Sequence, residues 1–149
     1  MKKQLITHSP KETKALAQSI AQQLKDGSVI TLSGDLGAGK TTFTQGLAKG
    51  LDIQKMVSSP TFTIMKWYIG RLKLTHIDAY RLEGLHQDLG FEELIGSTGV
   101  CVIEWPEYIQ DLLPNAYLEI KLSRLDEDDR MIELIAHGAD YNCILEKLV

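Results

Sequence analysis

The chain has 149 residues, 44% hydrophobic and 24% charged, with a net charge of −4. That composition is ordinary for a globular domain, and no stretch approaches the roughly 18 apolar residues of a membrane-spanning helix. The length suits one domain over residues 1–149 with one core. Charge is uneven: residues 1–82 carry 12 basic and 5 acidic side chains, whereas residues 83–149 carry 4 and 15. The basic part suits an anionic ligand, and the acidic part argues against a nucleic-acid-binding face at the C-terminus. Met1-Lys2-Lys3 is followed at once by Gln4, Thr7, His8 and Ser9. No apolar signal segment forms there, and a cytoplasmic location is expected. Cys101 sits in the apolar run Val100 to Ile103 and Cys143 lies far from it, so buried packing is expected rather than a disulfide.

Along the chain, Ser9-Pro10-Lys11-Glu12 opens a helix with a serine cap, a proline in the first turn and a glutamate three residues on. Ala15, Leu16, Ile20 and Leu24 supply its buried face. After the turn at Asp26-Gly27, the β-branched run Val29 to Ser33 predicts a strand. Gly34-Asp35-Leu36-Gly37-Ala38-Gly39-Lys40-Thr41 then matches the phosphate-loop spacing G-x-x-x-x-G-K-T. Its glycines accept positive φ, so backbone N–H groups of Gly37, Ala38, Gly39, Lys40, Thr41 and Thr42 can wrap an anion at a helix start. Lys40 adds a charge for the β- and γ-phosphates, and the Thr41 hydroxyl suits Mg²⁺. The following helix is expected from Thr41 to Lys49, stopped by Gly50. A nucleoside triphosphate with Mg²⁺ is therefore the expected ligand.

Ser58-Ser59-Pro60-Thr61 begins a strand to about Tyr68, and Ile69-Gly70-Arg71 turns it back into Leu72 to Asp78. That hairpin is antiparallel, so the sheet must be mixed. Short helices broken by Gly90 and Gly96 are expected over 83–99. Val100 to Glu104 reads as a central buried strand, Ala116 to Leu122 and Arg130 to Ala136 as further strands, and Tyr141 to Leu148 as a closing helix. Asp126-Glu127-Asp128-Asp129 reads as a solvated loop. Strands alternating with helices around a phosphate loop make an α/β, three-layer, P-loop NTPase-like fold.

Hydrolysis at such a loop needs an acid at the end of a neighbouring strand. Glu104 ends four apolar residues directly before Trp105-Pro106, where an unpartnered charge is costly. Asp78 ends the returning hairpin strand, either as part of the site or as a turn cap. The hydroxyls of Ser59 and Thr61 suit a loop that senses the γ-phosphate or simply a strand start. Trp105 either seals the site or packs in the core. The four histidines, His76 among them, lack ligand spacing.

Four segments, Gly34 to Thr42, Ser-Pro-Thr-Phe-Thr at 59–63, His-Ile-Asp-Ala-Tyr-Arg-Leu at 76–82 and Ile-Glu-Trp-Pro-Glu at 103–107, occur in this order. Together they resemble the TsaE (YjeE) family, bacterial ATPases of tRNA threonylcarbamoyladenosine synthesis. The resemblance implies a partner-activated ATPase that supports repeated rounds by a TsaB–TsaD transferase complex, with tRNA reached through that complex. It further implies that Lys40 binds phosphates and that Thr41 and Glu104 serve Mg²⁺. Asp78 and Trp105 would belong to the catalytic surround, Ser59 to Thr61 to a switch-like segment, and Arg130 to the neighbourhood of the base. Ala79 stands where many members carry a larger residue. Two other functions fit the phosphate loop: a small-molecule kinase, although no arginine-bearing lid is evident, and an ATP-dependent scaffold that does not hydrolyse.

Overall fold

The computed structural model describes residues 1–35, 37–57, 65–82, 95 and 98–148. Ser58 to Thr63, with Ser59 and Thr61, and all but 95, 98 and 99 of the stretch 83–99, where short helices are expected, lie outside those residues. The elements are β1 (Lys2–Thr7), α1 (Pro10–Ala21), β2 (Ser28–Ser33), α2 (Lys40–Gly50), β3 (Met65–Ile69), β4 (Lys73–Asp78), β5 (Val100–Glu104), β6 (Tyr117–Arg124), β7 (Arg130–His137) and α3 (Ala139–Lys147). Short 3₁₀ turns cover Ala79–Leu82, Pro106–Tyr108 and Gln110–Leu112.

Seven strands form one mixed sheet in the order β1-β7-β6-β2-β5-β4-β3. Its middle, β6-β2-β5-β4, is parallel, while β1-β7, β7-β6 and β4-β3 are antiparallel. β2 and β5 are apolar almost throughout because both of their faces are covered. Ile30, Leu32, Val100 and Val102 face a core shared with buried residues of α1, α2 and α3. Alternate residues Val29, Cys101 and Ile103 face a second cluster with Ile77, Ala79 and Ile109. Among the described residues, the layer on that second face is built from 3₁₀ turns. Cys101 is buried and unpaired, and burial pushes its thiol up to about 12, which removes it as a nucleophile. No described helix is long and apolar enough to cross a membrane.

Helix α1 starts as its sequence dictates, with the Ser9 hydroxyl accepting from the Glu12 amide. Of its expected buried face, Ile20 and Leu24 are buried and Leu16 packs half-buried against the core, whereas Ala15 does not. Thr13, Ala17, Ile20 and Ala21 point inward and Ala15 is exposed, since α2 lies against the row of small residues. Gly50 closes α2 as expected, as its last helical residue, and it is also a contact point between the two helices. A Cβ there would lie 2.6 Å from that of Ala21. The chain leaves the helix through Leu51 and Asp52, the latter at φ 61°.

At Gly46 a Cβ would lie 2.5 Å from the Lys14 carbonyl oxygen and 2.7 Å from the Ala17 Cβ. Helix propensity alone favours alanine by about 1 kcal/mol. The clash is with backbone and forces the helices apart, so overpacking wins. Gly46→Ala is expected to lose about 1–2 kcal/mol net, read as a lower urea midpoint.

One element was absent from the sequence reading. β1 pairs with β7 along an edge, with Lys2, Gln4 and Ile6 exposed. Its period of two is disguised by Lys3, a charge on the inward side. The Lys3 ammonium donates to the carbonyls of Leu145 and Leu148, satisfying the last turn of α3.

Candidate active site

Parallel strands open their C-terminal ends toward the loops that bind ligands. Here the register sets Leu32 of β2 beside Glu104 of β5, and Glu104 beside Asp78 of β4. The phosphate loop leaves β2 at that same edge. A cavity of about 600 Å³ lies there, bounded by Gly37, Gly39, Lys40, Thr41 and Thr42 on one side. Asp78, Tyr80, Glu104, Trp105 and Arg130 close the other sides. That size suits a ligand of nucleotide dimensions.

The loop has the geometry that its glycines permit. Gly37 lies at φ 83° and Gly39 at φ 104°. Gly39 is also the N-cap of α2, and no side chain caps that end among the described residues. The first-turn N–H groups of α2, from Lys40 to Thr42, therefore face the cavity with the positive end of the helix dipole. Ala38 behaves differently from its neighbours. Its amide donates to the Asp35 carbonyl at 3.0 Å, and its side chain is buried in the core. Ala38 thus shapes the loop from within.

Lys40 and Glu104 are both buried, with the ammonium 3.8 Å from Oε1. The same ammonium stands 4.3 Å from the centre of the Trp105 ring. Trp105 adopts φ 58° and ψ 53°, a left-handed conformation that costs an aromatic residue about 1–3 kcal/mol. It ends β5, turns the chain into Pro106 and aims the indole at Lys40. Tyr80 and Tyr108 brace the ring at 5.2 and 6.5 Å between centroids. Trp105 consequently walls the cavity and, half-buried, also packs against the second core cluster.

Asp78 fills both positions considered for it. It lines the cavity, and its Oδ1 accepts from the Tyr80 amide at 3.0 Å, capping the turn that follows. Arg130 reaches the loop from the start of β7. Its Nη1 donates to the carbonyls of Asp126, Glu127 and Asp129, and Nη2 approaches the Gly37 carbonyl at 3.5 Å. Asp126 to Asp128 are exposed, as expected, and Asp129 is half-buried, yet the backbone of this stretch holds the arginine in place.

Two cavity-related residues escaped sequence reasoning. Tyr80 lines the site as an exposed aromatic. His76, fully buried on β4, places Nε2 2.5 Å from Glu104 Oε2. The only hint was a histidine within a strand, two residues before a strand-end acid; its partner appears only when β4 and β5 are aligned.

The donor set around the cavity was tested for Mg²⁺. Thr41 and Glu104 offer a hydroxyl and a carboxylate, both hard oxygen donors. No cluster of three His, Cys, Asp or Glu side chains suited to a metal occurs among the described residues. Few protein ligands, with phosphate and water completing the shell, is the pattern Mg²⁺ favours. The residues present fit the ion.

Similarity to known proteins agrees with this layout. Residues 7–132 match the family model for the threonylcarbamoyl adenosine biosynthesis protein TsaE. The tRNA threonylcarbamoyladenosine biosynthesis protein TsaE of Bacillus subtilis is 48% identical over 143 residues, covering 95% of this chain and 90% of its own. Its Treponema pallidum counterpart is 43% identical over 129 residues, covering 85% and 96%. The crystal structure of Bacillus subtilis YdiB superposes with a TM-score of 0.85 at 41% identity, covering 99% of this chain and 94% of that one. With a family match over most of its length and relatives this similar, the chain belongs to the TsaE family.

Proposed function

We propose that this protein binds Mg·ATP in the cavity at the phosphate loop, hydrolyses it, and serves tRNA threonylcarbamoyladenosine biosynthesis in the cytoplasm. Relatives of high identity carry that pathway in their names. The observation that carries the chemistry is the convergence of Lys40, Thr41 and Glu104 on one cavity beside the uncapped start of α2. Lys40 and the loop amides bind the phosphates, and Thr41 and Glu104 hold Mg²⁺. The ion, when bound, supplies charge stabilisation to the transferring phosphoryl group. Asp78 sits beside Glu104 at the strand ends, where an acid can orient a water. Trp105 and Tyr80 shield the reacting end from bulk solvent, and Arg130 borders the loop on the nucleotide side.

Turnover by the isolated chain is slow in this reading, and TsaB and TsaD accelerate it. The three arginines whose side chains are described support this. Arg71 is tied to the carbonyls of Ala21 and Leu24, Arg124 to that of Asp126, and Arg130 to its hairpin. A stabilising cation for the transition state is therefore expected from a partner, a contribution of about 10³-fold or more in comparable enzymes. ATP turnover with and without active TsaB and TsaD tests the proposal.

A further inference from the structure

The structure assigns His76 as a positioning residue that holds the Glu104 carboxylate so that one oxygen alone is presented to the cavity. This inference rests on the reading of Glu104 as a Mg²⁺ ligand. His76 lies on the α2 side of β4, in the alternation that also points Leu74 into the helix-facing core. It is fully buried and does not line the cavity, so it touches no ligand there. Its Nε2 meets Glu104 Oε2 at 2.5 Å, and the other carboxylate oxygen lies 3.8 Å from the Lys40 ammonium. Each oxygen of Glu104 thus has a separate task.

Packing alone does not call for an imidazole here. A leucine at this position, beside Val102 on the helix-facing side of the sheet, would bury no polar nitrogen. The Nδ1 of His76 has no hydrogen-bond partner among the described residues, so the ring is buried at a cost that only the Glu104 contact offsets. That pattern fits the tautomer with the proton on Nε2, which donates to the carboxylate and leaves Nδ1 an acceptor only. A glutamate has three rotatable side-chain bonds, and a rigid ring on a central strand removes most of that freedom. Outer-sphere partners of this kind orient metal-binding carboxylates.

The test is the Mg²⁺ concentration that supports half-maximal binding of a fluorescent ATP analogue, compared with binding in a chelator. His76→Leu is expected to raise the Mg²⁺ midpoint about tenfold or more, and His76→Gln, which keeps a donor near the Nε2 position, to stay within about threefold of the unsubstituted protein. Metal-free nucleotide affinity should be unchanged in both, and His76→Leu should add nothing in a Glu104→Gln background. An unchanged midpoint in His76→Leu, where Glu104→Gln does shift it, overturns the role of His76. Equal loss with and without metal overturns it as well, in favour of a purely structural residue. If Glu104→Gln itself leaves the midpoint unmoved, the Mg²⁺ assignment fails first. Imidazole nitrogen NMR of the unsubstituted protein needs no variant to fold: the Nε2–H tautomer is expected for His76, and the Nδ1–H tautomer contradicts the inference.

Discussion

Lys40→Ala is expected to lower ATP affinity and turnover by at least about a hundredfold, the scale of removing one preorganised donor from a developing charge. Two effects act together. The phosphates lose a full charge at the first residue of α2, and Glu104 loses its cation. A buried carboxylate left with His76 alone repels a polyanion instead of being screened from it. Lys40→Arg should not rescue, because the ammonium fits between Glu104 and the Trp105 ring, and a planar guanidinium has a different shape and reach. Equilibrium binding of ATP and initial rates of phosphate release check both statements. Near-normal affinity in Lys40→Ala would remove the lysine from the phosphate site.

Glu104→Gln is expected to separate binding from hydrolysis. The carboxylate is a negative charge 3.8 Å from Lys40, the lysine assigned to the phosphates in the proposed site. Removing it in the absence of Mg²⁺ relieves repulsion, so metal-free ATP affinity should hold or improve. With Mg²⁺ present, turnover should fall by about 10²–10⁴-fold, since both metal placement and local charge are lost. The sign of the metal-free result is the discriminating one. A purely structural glutamate would lower affinity and stability together. If the variant binds ATP, does not hydrolyse it and still sustains tRNA modification in cells, hydrolysis is dispensable and the scaffold function replaces the ATPase.

The parts of this site visible in the sequence were those encoded over a few neighbouring residues. The phosphate loop is such a pattern, and so is an acid closing an apolar strand, which is why Glu104 stood out. The hairpin at Gly70 and the central, buried position of β5 followed from turn residues and hydrophobicity in the same way. What could not be read depends on alignment between distant segments. His76 acquires meaning only from the pairing of β4 with β5, and Arg130 meets the phosphate loop only because Gly37, 93 residues away, lies beside the start of β7. Gly50 looked like a helix stop because glycine often ends helices. It does end α2, but it also touches α1, a second demand for glycine that no local pattern states. β1 was hidden by a lysine whose inward position makes sense only beside the end of α3.

Asp78 and Trp105 show the same division within the site itself. Each had a bland reading, a turn cap or core packing, and each keeps some structural work while facing the cavity. Trp105 is the sharper case, since a left-handed tryptophan is retained against its conformational cost. The cation–π contact with Lys40 gives that geometry a purpose, holding the ammonium at the mouth of the loop.

The most direct test is steady-state ATP turnover by the purified chain, alone and with active TsaB and TsaD, at saturating Mg²⁺. The site described here predicts slow hydrolysis alone and a rise of at least about tenfold with both partners, abolished by Glu104→Gln. Turnover that is identical with and without active partners would contradict it.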